Sequence, residues 1–256
     1  MQLFKYEPRN GLNFGDELGP YIVNILLQRF RLKISEEKSH KRLFSVGSVI
    51  HLTGTDDVVW GSGINGKVPL PIHNISRNYR AIRGPLSRKI LSQNSIYCPR
   101  IYGDPAILLP SIYVPKRRTH TEGKILVVPN YNDFELVKID MLRYENVPNI
   151  MLQHPFLPPL FMIDLIANAK AVITSSLHAK IIADCYKIPN AVLGGEGYSE
   201  HSFKYMDYVQ GVGYEQLEFF GDIASGIKHI ENPLTIKSEI TANLLDSFPK
   251  DLFDAN

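Results

Sequence analysis

Ala171-Val172-Ile173-Thr174-Ser175-Ser176-Leu177-His178-Ala179-Lys180 is the stretch that decides the fold. Its first four residues are apolar or β-branched and predict a buried strand, whereas the residues from 177 to 186 have helical spacing. Hydroxyl side chains separate the two elements, and His178 falls in the first turn of the predicted helix. A buried strand that leads directly into a helix is typical of βαβ units, so this stretch predicts a parallel sheet.

The same alternation of short strands and helices extends along the chain in both directions. We predict strands over residues 3–6, 43–46, 57–60, 79–82, 125–128, 149–153, 171–174 and 190–193, and helices over 16–30, 84–91, 133–143, 160–169, 177–186, 221–230 and 234–248. The segment 110–123 is rich in prolines and bases and predicts a linker. These patterns favour two α/β lobes, residues 1–112 and 123–256, with a cleft between them. The terminal helices either stay with the second lobe or pack back on the first.

The composition places the chain among ordinary globular proteins. Its 256 residues carry 28 Lys and Arg against 26 Asp and Glu, for a formal charge of +2, and 44% are hydrophobic. This composition excludes a disordered chain and a collagen or coiled-coil repeat. Cys98 and Cys185 lie far apart and predict packed thiols in a reducing compartment. We find neither a signal-peptide pattern nor an apolar run near the ~20 residues that cross a bilayer, so we expect a soluble, cytoplasmic protein.

His178 is the strongest candidate for chemistry. The dipole of the helix lowers the pKa of a histidine in its first turn unless an anion is bound nearby, which suits proton transfer near neutral pH. The alternative is a histidine packed under the sheet with its ring bonded to the backbone. Ser175 and Ser176 either bind phosphate oxygens or cap the helix.

Two glycine-containing loops follow predicted strands. In Asn13-Phe14-Gly15-Asp16-Glu17, Gly15 lets a ligand approach the backbone, and the next helix offers free N–H groups to an anion. The alternative is a capped turn in which Asp16 stabilises the helix. In Trp60-Gly61-Ser62-Gly63-Ile64-Asn65-Gly66, the backbone N–H groups can hold a phosphate or sugar, or the loop is a tight turn with Trp60 in the core.

Basic side chains suggest an anionic partner. The segment 76–100 contains six Lys and Arg and no acid, which indicates a local anion site or else a solvated face. Arg83 ends a predicted strand before a helix N-terminus, where a guanidinium can bind carboxylate or phosphate. Asp104 either caps a short helix or pairs with Arg83. Lys204, among the aromatic residues 203–208, binds a sugar or phosphate, or else belongs to an amphipathic edge strand.

Missing patterns argue against several functions. GxxxxGK[ST] and GxSxG do not occur, which argues against a P-loop and a serine hydrolase. Residues 61–66 have the spacing GxGxxG, but no acid ends a second strand at the dinucleotide spacing, which argues against a dinucleotide site. The histidines at 73, 154, 178 and 201 are isolated, so we predict no metal site. A nearly neutral chain without a recognition fold predicts no nucleic-acid partner.

Five segments in order resemble the polysaccharide pyruvyl transferase family. They are NFGDELGPYIV (13–23), VVWGSGI (58–64), YRAIRGPLS (79–87), YGDPAILLP (102–110) and AVITSSLHAKIIADCYKIPNAV (171–192). The resemblance spans roughly residues 10–210. It implies two Rossmann-like lobes in a GT-B-like arrangement. It also implies transfer of a pyruvyl group from phosphoenolpyruvate onto two hydroxyls of a sugar, which gives a cyclic ketal and phosphate without a cofactor.

The resemblance also implies roles for the candidate residues. The family's Arg-Leu-His is Ser176-Leu177-His178 here, so the positive charge for the donor would come from Arg83, Arg88 or Lys204. We expect His178 to be the acid-base group and Asp16 or Asp104 to orient or deprotonate the acceptor. The predicted binding residues are Gly15, Gly61, Ser62, Gly63, Arg83, Arg88, Ser175, Ser176 and Lys204.

The acceptor would be a sugar or a lipid-linked oligosaccharide, with at most peripheral membrane contact through it. Two other functions are compatible with the sequence. One is a GT-B-type glycosyltransferase that uses a nucleotide sugar, since the fold and the anion-binding loops would be shared. The other is a non-catalytic protein that binds anionic glycans.

Overall fold

A computed structural model describes residues 1–7 and 13–256 of the chain. Its strands are β1 (Gln2–Leu3), β2 (Leu32–Lys33), β3 (Arg42–Phe44), β4 (Val58–Trp60), β5 (Asn78–Ala81), β6 (Ile125–Val128), β7 (Ile150–Leu152), β8 (Ala171–Thr174), β9 (Asn190–Leu193), β10 (Phe219–Phe220) and β11 (Asp254–Ala255). One sheet has the order β1-β3-β4-β5 and a second has the order β10-β9-β8-β6-β7. All pairs in these two sheets are parallel, which confirms the predicted α/β class.

Helices connect the strands and cover the sheets. They are α1 (Phe14–Phe30), α2 (Pro85–Gln93), α3 (Leu109–Ile112), α4 (Phe134–Met141), α5 (Pro159–Ala167), α6 (Leu177–Cys185), α7 (Ser202–Gly211), α8 (Ile223–Lys228) and α9 (Ser238–Asp246). Because each sheet is parallel, its strands end at a common edge, and the loops that leave that edge come together.

Residues 171–180 fold as their sequence predicts, as the strand β8 followed by the helix α6. β8 is buried along its whole length, and Ser176 caps α6 by accepting a hydrogen bond from the Ala179 N–H. Lys180 is buried one turn later, where its ammonium bonds the carboxylate of Asp184 and the side-chain carbonyl of Asn190 at 3.0–3.2 Å. These partners offset the cost of burying the charge, so α6 can be enclosed on nearly every side.

One hydrophobic cluster contains residues from the parts of the chain that form both parallel sheets. It includes Leu18 and Leu26 of α1, Val172 of β8 and Leu244 of α9. The C-terminal segment also returns to the first sheet. The indole N–H of Trp60 donates to the carbonyl of Leu244 at 3.0 Å, and β11 pairs antiparallel with β2.

Several predicted elements differ from the structure. α1 begins at Phe14, so Pro20 lies in its second turn, where it leaves the carbonyl of Asp16 without its helical donor. The alternative of an edge strand over 203–208 is wrong, because these residues form α7 and bury Lys204, Tyr205 and Tyr208 at helical spacing. Another difference is in the predicted linker.

The predicted linker is anchored to the protein. The side chain of Asp164 in α5 accepts hydrogen bonds from the hydroxyl of Tyr113 and the backbone N–H of Lys116. The same carboxylate forms an ion pair with Arg118 at 2.6 Å. The segment 113–118 therefore packs against α5.

Candidate active site

A cavity of about 270 Å³ lies where the carboxyl ends of both parallel sheets meet. Its lining residues each follow a strand: Tyr6, Asn13 and Asp16 follow β1, and residues within 47–51, 65–68, 130–132 and 176–178 follow β3, β4, β6 and β8 respectively. Glu200 and Lys204 follow β9. The α/β fold concentrates loops at this edge, which is where ligands bind in open parallel sheets.

His178 forms the centre of this site together with Gly15. The imidazole is half-buried in the first turn of α6 and lines the cavity. Its Nδ1 lies so close to α1 that a Cβ placed on Gly15 would be 2.1 Å away from it. Its Nε2 is shielded from solvent and has no hydrogen-bond partner among the described residues. A buried and unpaired ring nitrogen is costly, which makes His178 a candidate for contact with a ligand.

The surroundings of His178 keep it neutral. Burial, together with the positive charges of Lys204 and Arg83, lowers the pKa of His178 to about 3. A bound anion would act in the opposite direction, because a negative charge nearby favours the imidazolium form. The protonation of His178 is therefore linked to the occupancy of the cavity.

Asp16 provides a carboxylate to the same cavity. Burial raises the pKa of Asp16 to about 6, while a hydrogen bond from Asn13 and the charge of Lys204 lower it in part. The amide of Asn13 donates to Oδ2 of Asp16 at 2.8 Å. A carboxylate with a pKa in this range is ionised at neutral pH and is a stronger base than an ordinary aspartate.

Lys204 brings a cation to the cavity from the first turn of α7. Its side chain is buried, and its ammonium pairs with the carboxylate of Glu200. Burial lowers the pKa of Lys204, and Glu200 offsets part of that effect. Lys67 lines the same cavity from the exposed loop after β4.

The site combines positive and negative groups: the carboxylates of Asp16 and Glu200 line it together with Lys67 and Lys204. The N-termini of α1, α6 and α7 reach it through Asp16, His178 and Lys204, and free N–H groups at helix N-termini carry partial positive charge. Two lysines add full charges, and Asn65 and Asn130 add amide groups that can bind hydroxyls. The arrangement can therefore hold a small polyanion beside a polyhydroxylated group.

Arg83 does not reach this cavity. It is fully buried, and its guanidinium bonds the carboxylate of Asp207 in α7, the carbonyl of Ile64 and the hydroxyl of Ser48. The prediction that Arg83 binds the donor is thus corrected: the side chain holds α7 against the end of β5. Through Ser48, which lines the cavity, it also supports one wall of the site.

Other predicted residues also lie outside the cavity. Asp104 caps a short 3-10 helix by accepting from the Ala106 N–H at 3.0 Å, and does not pair with Arg83. Arg88 donates to the carbonyl of Cys98. The hydroxyl of Ser175 accepts from the Asn130 N–H. None of the six bases in segment 76–100 lines the cavity.

The loop after β4 is a tight turn at its start. A Cβ on Gly61 would lie 2.3 Å from Pro105, and one on Gly63 would lie 2.3 Å from the guanidinium of Arg83. The hydroxyl of Ser62 donates to the carbonyl of Gly47. These three residues therefore pack inside the protein, and the loop reaches the cavity only from Asn65 onward.

Sequence reasoning missed several lining residues. They are Ser48, His51, Asn65, Lys67, Asn130, Tyr131 and Glu200. The sequence contains a signal for most of them. Residues that follow the carboxyl ends of parallel strands line ligand sites, and this rule, applied to β8, applies equally to β3 and β6. Val128 pairs with Thr174 in the sheet, so Asn130 and Ser176 necessarily leave at the same edge.

Metal-ligating clusters and membrane-spanning helices are both absent from the described residues. Among residues 1–7 and 13–256, no three His, Cys, Asp or Glu side chains are placed to hold a metal ion. In the same part of the chain, no helix combines the length and apolar character needed to cross a membrane.

Comparison with known proteins identifies a family. A family model described as polysaccharide pyruvyl transferase matches residues 13–197, from the start of α1 to the loop after β9. No curated protein matches the chain. The matched range contains most of the segments that line the cavity, including Asp16 and His178.

Proposed function

Because this chain belongs to the polysaccharide pyruvyl transferase family, we propose that it transfers a pyruvyl group from phosphoenolpyruvate to a sugar of a polysaccharide precursor. Two hydroxyls of the sugar would form a cyclic ketal, and phosphate would be released. The observation that carries the proposal is the cavity where three helix N-termini, Lys204 and His178 converge.

In this proposal the two parallel sheets are the cores of two Rossmann-like lobes in a GT-B-like arrangement, residues 1–112 and 123–256. The cavity would then be the cleft between them, with the acceptor entering from the side of Asn65 and Lys67. The buried ion pair between Arg83 and Asp207 and the shared core would keep the lobes in one relative position.

The donor needs positive charge for one carboxylate and one phosphate. Ser176 stands where the family has arginine, and neither Arg83 nor Arg88 lines the cavity. Lys204, Lys67 and the N-terminus of α6 would supply that charge instead. Helix N-termini and lysines bind phosphate as fixed partial charges and point charges respectively.

The reaction requires one proton on carbon and the loss of two hydroxyl protons. The methylene carbon of phosphoenolpyruvate takes up a proton, and a sugar hydroxyl attacks the adjacent carbon. The second hydroxyl then displaces phosphate and closes the ketal. One of the two hydroxyl protons restores the acid that protonated the methylene carbon. The other is carried away on the released hydrogen phosphate.

His178 and Asp16 would divide the proton transfers between them. His178 gains a proton when the anionic donor binds and delivers it to the methylene carbon. Asp16, with a pKa of about 6, accepts the proton of the attacking hydroxyl. The two side chains line the same cavity from different helices, so one ligand can contact both.

Donor binding tests this assignment without knowledge of the acceptor. Phosphoenolpyruvate should raise the melting temperature, and the nucleotide sugars UDP-glucose and CDP-glucose should not. Lys204→Met should weaken phosphoenolpyruvate binding about tenfold or more, because it removes a charge-assisted contact. Lys89→Met, which changes an exposed lysine outside the cavity, is the control. Stabilisation by a nucleotide sugar alone would overturn the proposal in favour of a glycosyltransferase.

A further inference from the structure

A second cavity, of about 760 Å³, lies at the other ends of α1 and α6. Arg29 in the last turn of α1 and Cys185 at the end of α6 line it, whereas Asp16 and His178 at the beginnings of these helices line the first cavity. Since a helix rises ~1.5 Å per residue, Asp16 and Arg29 are roughly 20 Å apart. The second cavity is therefore a separate site.

The walls of the second cavity are mostly apolar. They come from the 3-10 helix Pro105–Leu108 before α3, from α9, and from the irregular segment 232–237 that precedes α9. The apolar lining residues are Ile107, Leu108, Pro110, Pro233, Leu234, Ile236, Ala242 and Leu245. A cavity of this size and character suits a ligand with a hydrocarbon portion.

The charged groups of this cavity are positive. Arg29 and Lys187 line it and are exposed, and neither forms an ion pair within the described residues. The one acid in the lining, Asp184, is buried and its carboxylate bonds Lys180, Asn190, Tyr208 and the Leu234 N–H. Its charge is thus neutralised internally, and the rim presents two cations to a ligand.

We propose that the second cavity binds a single-chain lipid with a phosphate head group. The hydrocarbon chain lies against the wall formed by Leu108, Ile236 and Leu245. Arg29 and Lys187 bind the phosphate at the rim, where a guanidinium and an ammonium both suit phosphate oxygens. Charge complementarity selects this ligand over a neutral or cationic amphiphile of equal chain length.

Dodecyl phosphate, kept below its micelle concentration, is the probe. Trp60 is the single tryptophan of the chain and donates to the carbonyl of Leu244 in α9, so its emission reports on that wall. We expect a saturable change in emission, and binding by calorimetry at one site. Dodecyl trimethylammonium should bind at least about tenfold more weakly, and inorganic phosphate alone should leave the emission unchanged.

Substitutions locate the ligand. Arg29→Gln and Lys187→Asn should each weaken dodecyl phosphate binding about tenfold, and Ala242→Phe should block it by filling the cavity. Lys89→Gln and Ala224→Phe change exposed residues outside the cavity and should bind like the unmodified protein. Equal binding of the cationic amphiphile, or full binding by Ala242→Phe, would overturn the proposal. Phosphoenolpyruvate binding in the same variants is measured separately, so the two proposals fail independently.

Discussion

At the scale of single residues, the close fit of His178 and Gly15 carries most of the proposed chemistry. The imidazole occupies the space that a Cβ on Gly15 would take, and its Nε2 has no partner among the described residues. Because burial lowers the pKa of His178 to about 3, the ring is neutral until an anion binds. Protonation would then accompany binding of the donor, so phosphoenolpyruvate binding should weaken as the pH rises.

His178→Gln should reduce turnover by roughly 10²–10⁴, the range typical of a lost general acid-base group. Glutamine keeps a polar side chain at the start of α6 but transfers no proton near neutral pH. Phosphate release in the presence of phosphoenolpyruvate and acceptor measures the effect, and the melting temperature checks the fold. Turnover within a factor of about three of the unmodified enzyme would remove His178 from the catalytic role.

Asn13→Ala should move the pH profile of the enzyme. The hydrogen bond from Asn13 stabilises the ionised form of Asp16, so its loss raises the pKa of this carboxyl above about 6. Activity requires the base form of Asp16 and rises with pH through that pKa, so the acidic limb of kcat/KM shifts to higher pH. A uniform loss at every pH would show that Asn13 acts only on the structure. Asp16→Asn should remove the acidic limb of the kcat/KM profile, because the titrating carboxyl is then absent.

At the scale of elements, α7 is held to the first sheet by a buried ion pair. Arg83 follows β5 and Asp207 lies on α7, and both side chains are fully buried. Asp207 also accepts from the backbone N–H and the hydroxyl of Ser87 at the start of α2. This contact places Lys204, on the same helix, beside the cavity.

Asp207→Leu should destabilise the protein by about 3–5 kcal/mol, because it leaves the charge of Arg83 buried and unpaired. Urea unfolding measures the change. Glu122→Gln breaks the exposed pair with Arg117 and should cost less than about 1 kcal/mol, which makes it the matched control. Similar losses in both variants would contradict the assignment of Arg83 to a structural contact.

The sequence predicts some elements to the residue and misplaces others for identifiable reasons. β6, β8 and β9 match their predicted bounds, because each is a mostly apolar run that ends sharply, before Pro129, Ser175 and Gly194 respectively. The residues of α7 are rich in aromatic side chains, whose strand preference outweighed their helical spacing in the prediction. The strands β2 and β11 are two residues long and pair across the whole chain, which no local pattern reveals.

The candidate site shows the same division. The strand-end rule placed Gly15, Asp16, Ser176 and His178 at one edge, and all four contact the cavity or its histidine. Arg83 was assigned to the donor because its partner Asp207 is 124 residues away and cannot be seen from the local sequence. Charge density along the chain was therefore a poor guide to charge at the site.

At the scale of the whole molecule, both parallel sheets direct their carboxyl edges to one cavity. The same core cluster contains residues from α1, β8 and α9, so the parts of the chain that form the two sheets are packed together. The helices α1 and α6 connect the two cavities, with Asp16 and His178 at one end and Arg29 and Cys185 at the other. The fold thus provides one polar site for an anion and one apolar site behind it.

Product analysis tests the central claim most directly. The protein is incubated with phosphoenolpyruvate and a panel of candidate glycan acceptors, and phosphate release and acceptor mass are followed together. The account predicts one phosphate released for each acceptor that gains the mass of pyruvate less one water, with loss of two free hydroxyls. It also predicts neither change in His178→Gln. Phosphate release with every acceptor mass unchanged would contradict pyruvyl transfer.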